Sequence, residues 1–262
     1  MFHSNRISVI VLDYNKPEIT NICLESIWKY NRVNIILVNS GKADIGNYTK
    51  DVPFHYIKNE RGRRFSIGMN MGIAKACSGN SEFIVLLNND AVVDEGSLEL
   101  LEKALVLNEN LGMVSSNRSL STGTIIRGRK HFQNDAKQER VLPEIKITEN
   151  LTGFCLCART NALKNVNGYD EQFIFGKEDD DLCIRIKRLG FSLAEVVNSS
   201  VHHSPSGSTD FHNPLSVGFL IIGSAAGNSL LFRKREISIV KFFEGISKDV
   251  FTTFANSIII SH

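Results

Sequence analysis

The sequence predicts a three-layer α/β fold, a mostly parallel sheet flanked by helices, with a C-terminal helical tail. Three observations carry this. Strand and helix patterns alternate over the first 116 residues, which argues for parallel strands joined by crossover helices. Residues 7–12 (ISVIVL) and 33–38 (VNIILV) are almost continuous apolar runs, as expected of strands buried on both faces. The 262 residues, 42% hydrophobic and 22% charged, suffice for one substantial core and a small appendage.

After the first strand, Asn15 is placed to cap a helix with Pro17 in its first turn, where a missing N–H costs nothing. Ile19, Ile22, Cys23 and Ile27 then recur at helical spacing. The second strand closes on Asn39-Ser40-Gly41, and residues 54–57 form a third. Residues 67–77 read as a helix of small residues and 82–87 (EFIVLL) as a fourth strand. Leu98, Leu101 and Leu105 mark the next helix, and 112–116 a short strand. From 117 to 150 the pattern dissolves into polar and basic sequence, a long connection or an acceptor-side loop. Regularity returns with a strand at 152–158, on which Cys155 and Cys157 face one side and read as packing. A helix marked by Leu182, Ile186 and Leu189 ends at Gly190, and 192–197 is a further strand.

Composition excludes several classes. A net charge of +2 gives no global field for nucleic acid, so none is expected as a partner. The five cysteines are scattered without a CxxC pair, which indicates neither a disulfide framework nor a zinc site but reduced cytoplasmic thiols. No run approaches the ~18 apolar residues of a spanning helix, and the N-terminus carries no export signal. The expectation is a cytoplasmic protein. Its tail, with apolar stretches at 215–222 and 250–260 around Arg233-Lys234-Arg235, has two readings. Either it docks on the anionic inner face of the cell membrane, or it packs on the domain or on another copy.

In open α/β sheets, ligands bind beyond the carboxyl ends of the strands. That rule puts Asp13-Tyr14-Asn15, Asn39-Ser40 and Asn88-Asn89-Asp90 on one rim. A carboxylate such as Asp90 at a strand end suits a hard divalent ion on a diphosphate, although Asn-Asp after a strand is also ordinary turn chemistry. Glu178-Asp179-Asp180-Asp181 opens a helix, where acids complement the dipole; one of them held near a hydroxyl can instead act as a general base. His202-His203 offer an imidazole to a metal already held by a carboxylate, or are structural. Arg61-Gly62-Arg63-Arg64 is a phosphate fork or a solvated basic turn.

Taken in order, these segments resemble glycosyltransferase family 2, especially its rhamnosyl- and galactofuranosyltransferase-like members. ISVIVLDYN is similar to the family's opening strand and Tyr-Asn turn, and IILVNSG to the second strand. GMNMGIAKACSGNSEFIVLLNND resembles the Asn-x-Gly helix and the strand leading to a DXD-type metal motif. TGFCLCARTNALKNVNGYDEQFIFGKEDDDLCIRIKRLGF resembles the acceptor-side stretch with its Glu-Asp motif, and VHHSPSGST the late histidine segment.

The resemblance implies a GT-A fold over 1–210, with a nucleotide-sugar half (1–116) and an acceptor half (117–210), followed by the tail, 211–262. It implies an inverting transferase moving a sugar from a nucleoside-diphosphate sugar to a glycan or lipid-linked acceptor, with Mn²⁺ or Mg²⁺. Asp179 would be the base, held ionised by its helix N-terminus. Asp90 and His203 (or His202) would meet the metal. Asn88 and Asn89 would lie against ribose and diphosphate; Asp13, Tyr14, Asn15, Asn39 and Asn70 would line the nucleoside pocket, and Arg64 would reach phosphate. Asn39 and Asn88 stand where the family usually carries acids, which keeps a non-catalytic nucleotide-sugar-binding module in view. A nucleotidyltransferase is disfavoured, because DYNKPE lacks the glycine-rich loop expected after its first strand.

Overall fold

The computed structural model describes residues 1–61, 64–120, 141–174, 176–203, 226–231 and 234. Among the described residues nine strands form one sheet. They are β1 (Phe2–Asp13), β2 (Asn31–Asn39), β3 (His55–Lys58), β4 (Phe83–Asn88), β5 (Ala91–Val93), β6 (Leu111–Leu120), β7 (Ile145–Thr148), β8 (Cys155–Arg159) and β9 (Ser192–His203). Their order is β3-β2-β1-β4-β8-β6-β9-β5, with β7 on β9. The run from β3 to β4 is parallel, as the alternation predicts. β8 then runs antiparallel to both β4 and β6, so the whole sheet is mixed.

Among the described residues, helices α1 (Pro17–Tyr30), α2 (Phe65–Cys77), α3 (Ser97–Leu107), α4 (Thr160–Asn165) and α5 (Glu178–Arg188) accompany the sheet. β1 shows why its sequence is apolar throughout. Ile7, Val9 and Val11 join Leu24 and Ile27 of α1 and Leu98 and Leu101 of α3 in one core. Ile10 joins Met69 of α2, Leu163 of α4 and Leu182 of α5 in the other. Period-two alternation thus feeds two apolar layers, one on each face. Cys155 and Cys157 share the first core, and Leu156 between them enters the second.

Parallel register sets the rim. Asp13 pairs with Asn39, and Leu12 with Asn88, so the polar ends of β2, β1 and β4 lie side by side. Several local expectations change. Asn15 does not cap α1: it sits at φ +56°, and its Oδ1 accepts from the Lys42 N–H at 2.6 Å. β9 continues to His203 rather than stopping at 197, which delivers the two histidines at its end.

The tail packs on the domain where it is described. Residues 226–231 are helical, Leu231 is buried, and Lys234 pairs with Asp170 and Asp181. This corrects the reading of Lys234 as a contact for lipid head groups, because its charge is committed inward. Arg233, Arg235 and the apolar stretches 215–222 and 250–260 lie outside the described residues, as does 121–140. No helix among the described residues is long and apolar enough to cross a membrane.

Candidate active site

β5 begins immediately after Asp90, and its antiparallel pairing sets Ala91 opposite His203. That register brings His203 Nε2 to 3.1 Å from Asp90 Oδ1 and 3.2 Å from Asn88 Nδ2. Phe154 stacks on the imidazole at a centroid distance of 5.4 Å. His202, on the opposite side of β9, pairs with Asp94 at 2.9 Å. Among the described residues, the buried Asp90 Oδ1 and His203 Nδ1 have no hydrogen-bond partner. When His203 Nε2 accepts from the Asn88 amide, Asp90 Oδ1 faces a lone pair instead of a donor, a cost that a cation between them relieves. A carboxylate oxygen facing an imidazole nitrogen fits Mn²⁺ or Mg²⁺ as two protein ligands. No third His, Cys, Asp or Glu joins them among the described residues.

Asp179 sits in the first turn of α5, launched from a turn in which Gly176 (φ +80°) and Lys177 (φ +70°) are both left-handed. Its carboxylate lies directly over Gly153, where a Cβ would stand only 1.8 Å from Oδ2. Tyr169 donates its hydroxyl to Asp179 Oδ1 at 2.9 Å. Burial first, then the charges of Glu178 and Asp180, push the Asp179 carboxyl up from 3.8 to about 8, against the Tyr169 bond. The expectation that the helix terminus holds it ionised is therefore corrected: desolvation and like charges outweigh the dipole. Burial also raises the Glu178 carboxyl. Asp180 is engaged by the Asn150 amide and by Lys177 at 3.4 Å, and the fully buried Asp181 by Arg185 at 2.7 Å.

One short segment joins these two groups. Gly153 makes room for Asp179 and Phe154 carries His203, while the Phe154 carbonyl accepts from the Asn88 N–H at 3.0 Å. A carboxyl of raised pKa and a carboxylate–imidazole pair thus flank the entry to β8.

The nucleoside-side residues divide. Tyr14 is 40% exposed at the rim. Asp13 is fully buried and accepts from Thr20 Oγ1 (2.6 Å), Tyr48 Oη (2.9 Å), the Lys16 N–H (3.2 Å) and Asn89 Nδ2 (3.3 Å). Asp13 and Asn89 are thus joined in one buried network under the rim. Asn39 is also fully buried; its amide donates to the Ala43 carbonyl and Tyr56 Oη, and its Oδ1 accepts from the Gly41 N–H at 2.7 Å. The amide is needed there because a carboxylate cannot donate to a carbonyl.

Asn70 is held by the protein. It brackets Tyr169 by both backbone groups at 2.8 Å and donates to Glu171 at 3.2 Å. Arg64 donates to the Glu171 carbonyl at 3.3 Å, so both residues contact the Tyr169–Glu171 turn. Gly62 and Arg63 lie outside the described residues. Tyr169, Gly153, Phe154, Thr20 and Tyr48 are the residues missed; no periodicity or charge pattern marks them, since each matters only through a tertiary contact.

Residues 8–166 match the family described as Glycosyl transferase family 2. The chain belongs to that family. Residues 137–204 of this family 2 chain also match the N-terminal domain of galactosyltransferase. It is 26% identical over 183 residues to the poly-beta-1,6-N-acetyl-D-glucosamine synthase of Staphylococcus epidermidis, covering 64% of this chain and 43% of that one. It is 34% identical over 73 residues to the N-acetylglucosaminyl-diphospho-decaprenol L-rhamnosyltransferase of Mycobacterium tuberculosis, covering 28% of this chain and 24% of that one. The chain thus spans less than half the length of these curated relatives. The mannosyltransferase PcManGT from Pyrobaculum calidifontis, solved with GDP-Man and Mn²⁺, shares the fold at a TM-score of 0.63 and 12% identity, over 98% of this chain and 74% of that one. The expected GT-A architecture holds.

Proposed function

We propose that this family 2 protein is an inverting, divalent-metal-dependent glycosyltransferase that moves a sugar from a nucleoside-diphosphate sugar to a hydroxyl of a glycan or lipid-linked saccharide. The observation that carries the reading is the placement of Asp179 and the Asp90–His203 pair on either side of Gly153–Phe154. Asp90 and His203 would hold the cation, which when bound neutralises charge on the diphosphate. Asp179 takes the acceptor hydroxyl proton as that oxygen forms its bond to the anomeric carbon. The bond from that carbon to the diphosphate breaks, and its electron pair leaves with the nucleoside diphosphate. One displacement inverts the configuration. A carboxyl near 8 is matched to accepting a proton at neutral to mildly alkaline pH.

The test is a donor screen with Mn²⁺ that reads released nucleoside diphosphate, with dTDP-rhamnose, UDP-galactofuranose and common UDP-hexoses, followed by NMR of the product anomer. Release from one donor with an inverted linkage supports the reading. A retained configuration, or donor binding without turnover on any acceptor tried, contradicts it.

A further inference from the structure

Asp179 is carried by the first turn of α5 and held by the Tyr169 hydroxyl, and these two supports are tied together by the tail. Asp170 follows Tyr169 directly, and Asp181 lies two residues beyond Asp179 on α5. Lys234 Nζ bridges them: it binds the Asp170 carboxylate and stands 3.3 Å from Asp181 Oδ1, with the Phe173 ring centroid 5.1 Å away. The Lys234 N–H continues the helical turn by donating to the Leu230 carbonyl at 3.0 Å, so the ammonium is fixed to the 226–231 segment. That segment is packed without slack. A Cβ on Gly227 would come 2.5 Å from the Gly176 carbonyl oxygen and 3.0 Å from Lys177 Cβ, against the left-handed turn that launches α5. Burial opposes the Lys234 charge, but the two carboxylates more than offset it and raise its pKa.

We propose that Lys234 is a positioning residue for Asp179, and that residues 226–231 and Lys234 belong to the active-site scaffold: one ammonium cross-links the Tyr169 turn to α5 and so fixes where the Asp179 carboxylate sits against the Tyr169 hydroxyl. This rests on Asp179 being the base. Without Lys234, Asp181 keeps Arg185 at 2.7 Å and Asp170 keeps the Gln172 N–H at 2.8 Å, so neither carboxylate is stranded and the fold survives. What is lost is the link. The chemical step then suffers while donor binding does not, because errors of ~1 Å at a catalytic group cost up to ~10²-fold.

The experiment compares Lys234→Met, Lys234→Arg and Asp170→Asn in the full chain, measuring kcat, donor KM and melting temperature, with Asp179→Asn alongside. The expected result is a ~10- to 100-fold fall in kcat for Lys234→Met with donor KM within ~3-fold, and recovery to within several-fold in Lys234→Arg. Asp170→Asn should reproduce the kcat loss if Lys234→Met does not fold. A double-mutant cycle with Tyr169→Phe should be non-additive, since both changes loosen one carboxylate. If Lys234→Met, or failing it Asp170→Asn, keeps wild-type kcat while Asp179→Asn is inactive, the positioning role alone is overturned. If Asp179→Asn itself keeps turnover, both it and the base assignment fall.

Discussion

Gly153→Ala probes the site with a single methyl group. The added carbon would lie 1.8 Å from Asp179 Oδ2, 2.2 Å from Cγ and 2.5 Å from Oδ1, where contacts under 3.0 Å are essentially never tolerated. Position 153 cannot easily retreat, because Phe154 is held by the Asn88 N–H and Cys155 by pairing with Leu87. The Asp179 carboxylate must therefore move by at least about 1.2 Å, the difference between 3.0 and 1.8 Å, which also breaks its bond from Tyr169. Displacement on that scale costs ~10²-fold in rate, or ~2.7 kcal/mol of transition-state stabilisation. The assay is transfer turnover beside donor affinity by calorimetry, with a melting curve as the folding check. The expected variant is folded, binds donor normally and turns over ~100-fold more slowly. A folded Gly153→Ala protein with turnover within ~3-fold of wild type would refute the placement of Asp179 as the working base.

Donor kcat/KM should rise with pH through about 8, because Asp179 must be unprotonated to accept a proton; Tyr169→Phe removes the bond that favours the carboxylate and should move that limb to higher pH in a rate–pH profile. Raising the folded pKa above 3.8 means that protonated Asp179 contributes stability present below about pH 4 and lost as pH rises through about 8; Asp179→Asn should thus melt like wild type near pH 4 and higher than wild type at pH 9. Asp90→Ala should abolish transfer and weaken Mn²⁺-dependent donor binding by calorimetry, and His203→Ala should raise the Mn²⁺ needed for half-saturation; full activity in excess chelator would contradict both. Asn39→Asp should destabilise the fold by ~1–3 kcal/mol in chemical denaturation, because the Ala43 carbonyl loses its amide donor, keeping only Lys58 Nζ at 3.2 Å, and faces a carboxylate.

The parallel half of the fold was legible because buried strands and amphipathic helices write their periodicity into the chain, as in 7–12 and 33–38. β5 and β7 were not: β5 is three residues directly after Asp90, and β7 is a four-residue strand inside the polar and basic stretch 117–150. The antiparallel insertion of β8 is a long-range choice that no local pattern encodes. At the site, Asp90, Asp179 and His203 stood out as chemistry-bearing types at strand and helix ends. The grip of Asn70 on Tyr169 was not legible, because an amide's partners are set by tertiary contact. The ionisation of Asp179 was misjudged for a related reason. The helix dipole is readable from sequence, but the enclosure by Gly153, Tyr169 and Glu178 is not.

The most direct test is transfer rate measured beside donor affinity for Asp179→Asn and Asp180→Asn. Asparagine keeps the size of the side chain and can still meet Tyr169, so donor affinity should be unchanged in both. Removal of a positioned base typically costs ~10²- to 10⁴-fold in rate, and that loss should appear in Asp179→Asn alone. Asp180, engaged by Asn150 and Lys177, should tolerate the change within several-fold. Near-normal turnover in Asp179→Asn, or a crippled Asp180→Asn beside it, would contradict Asp179 as the base.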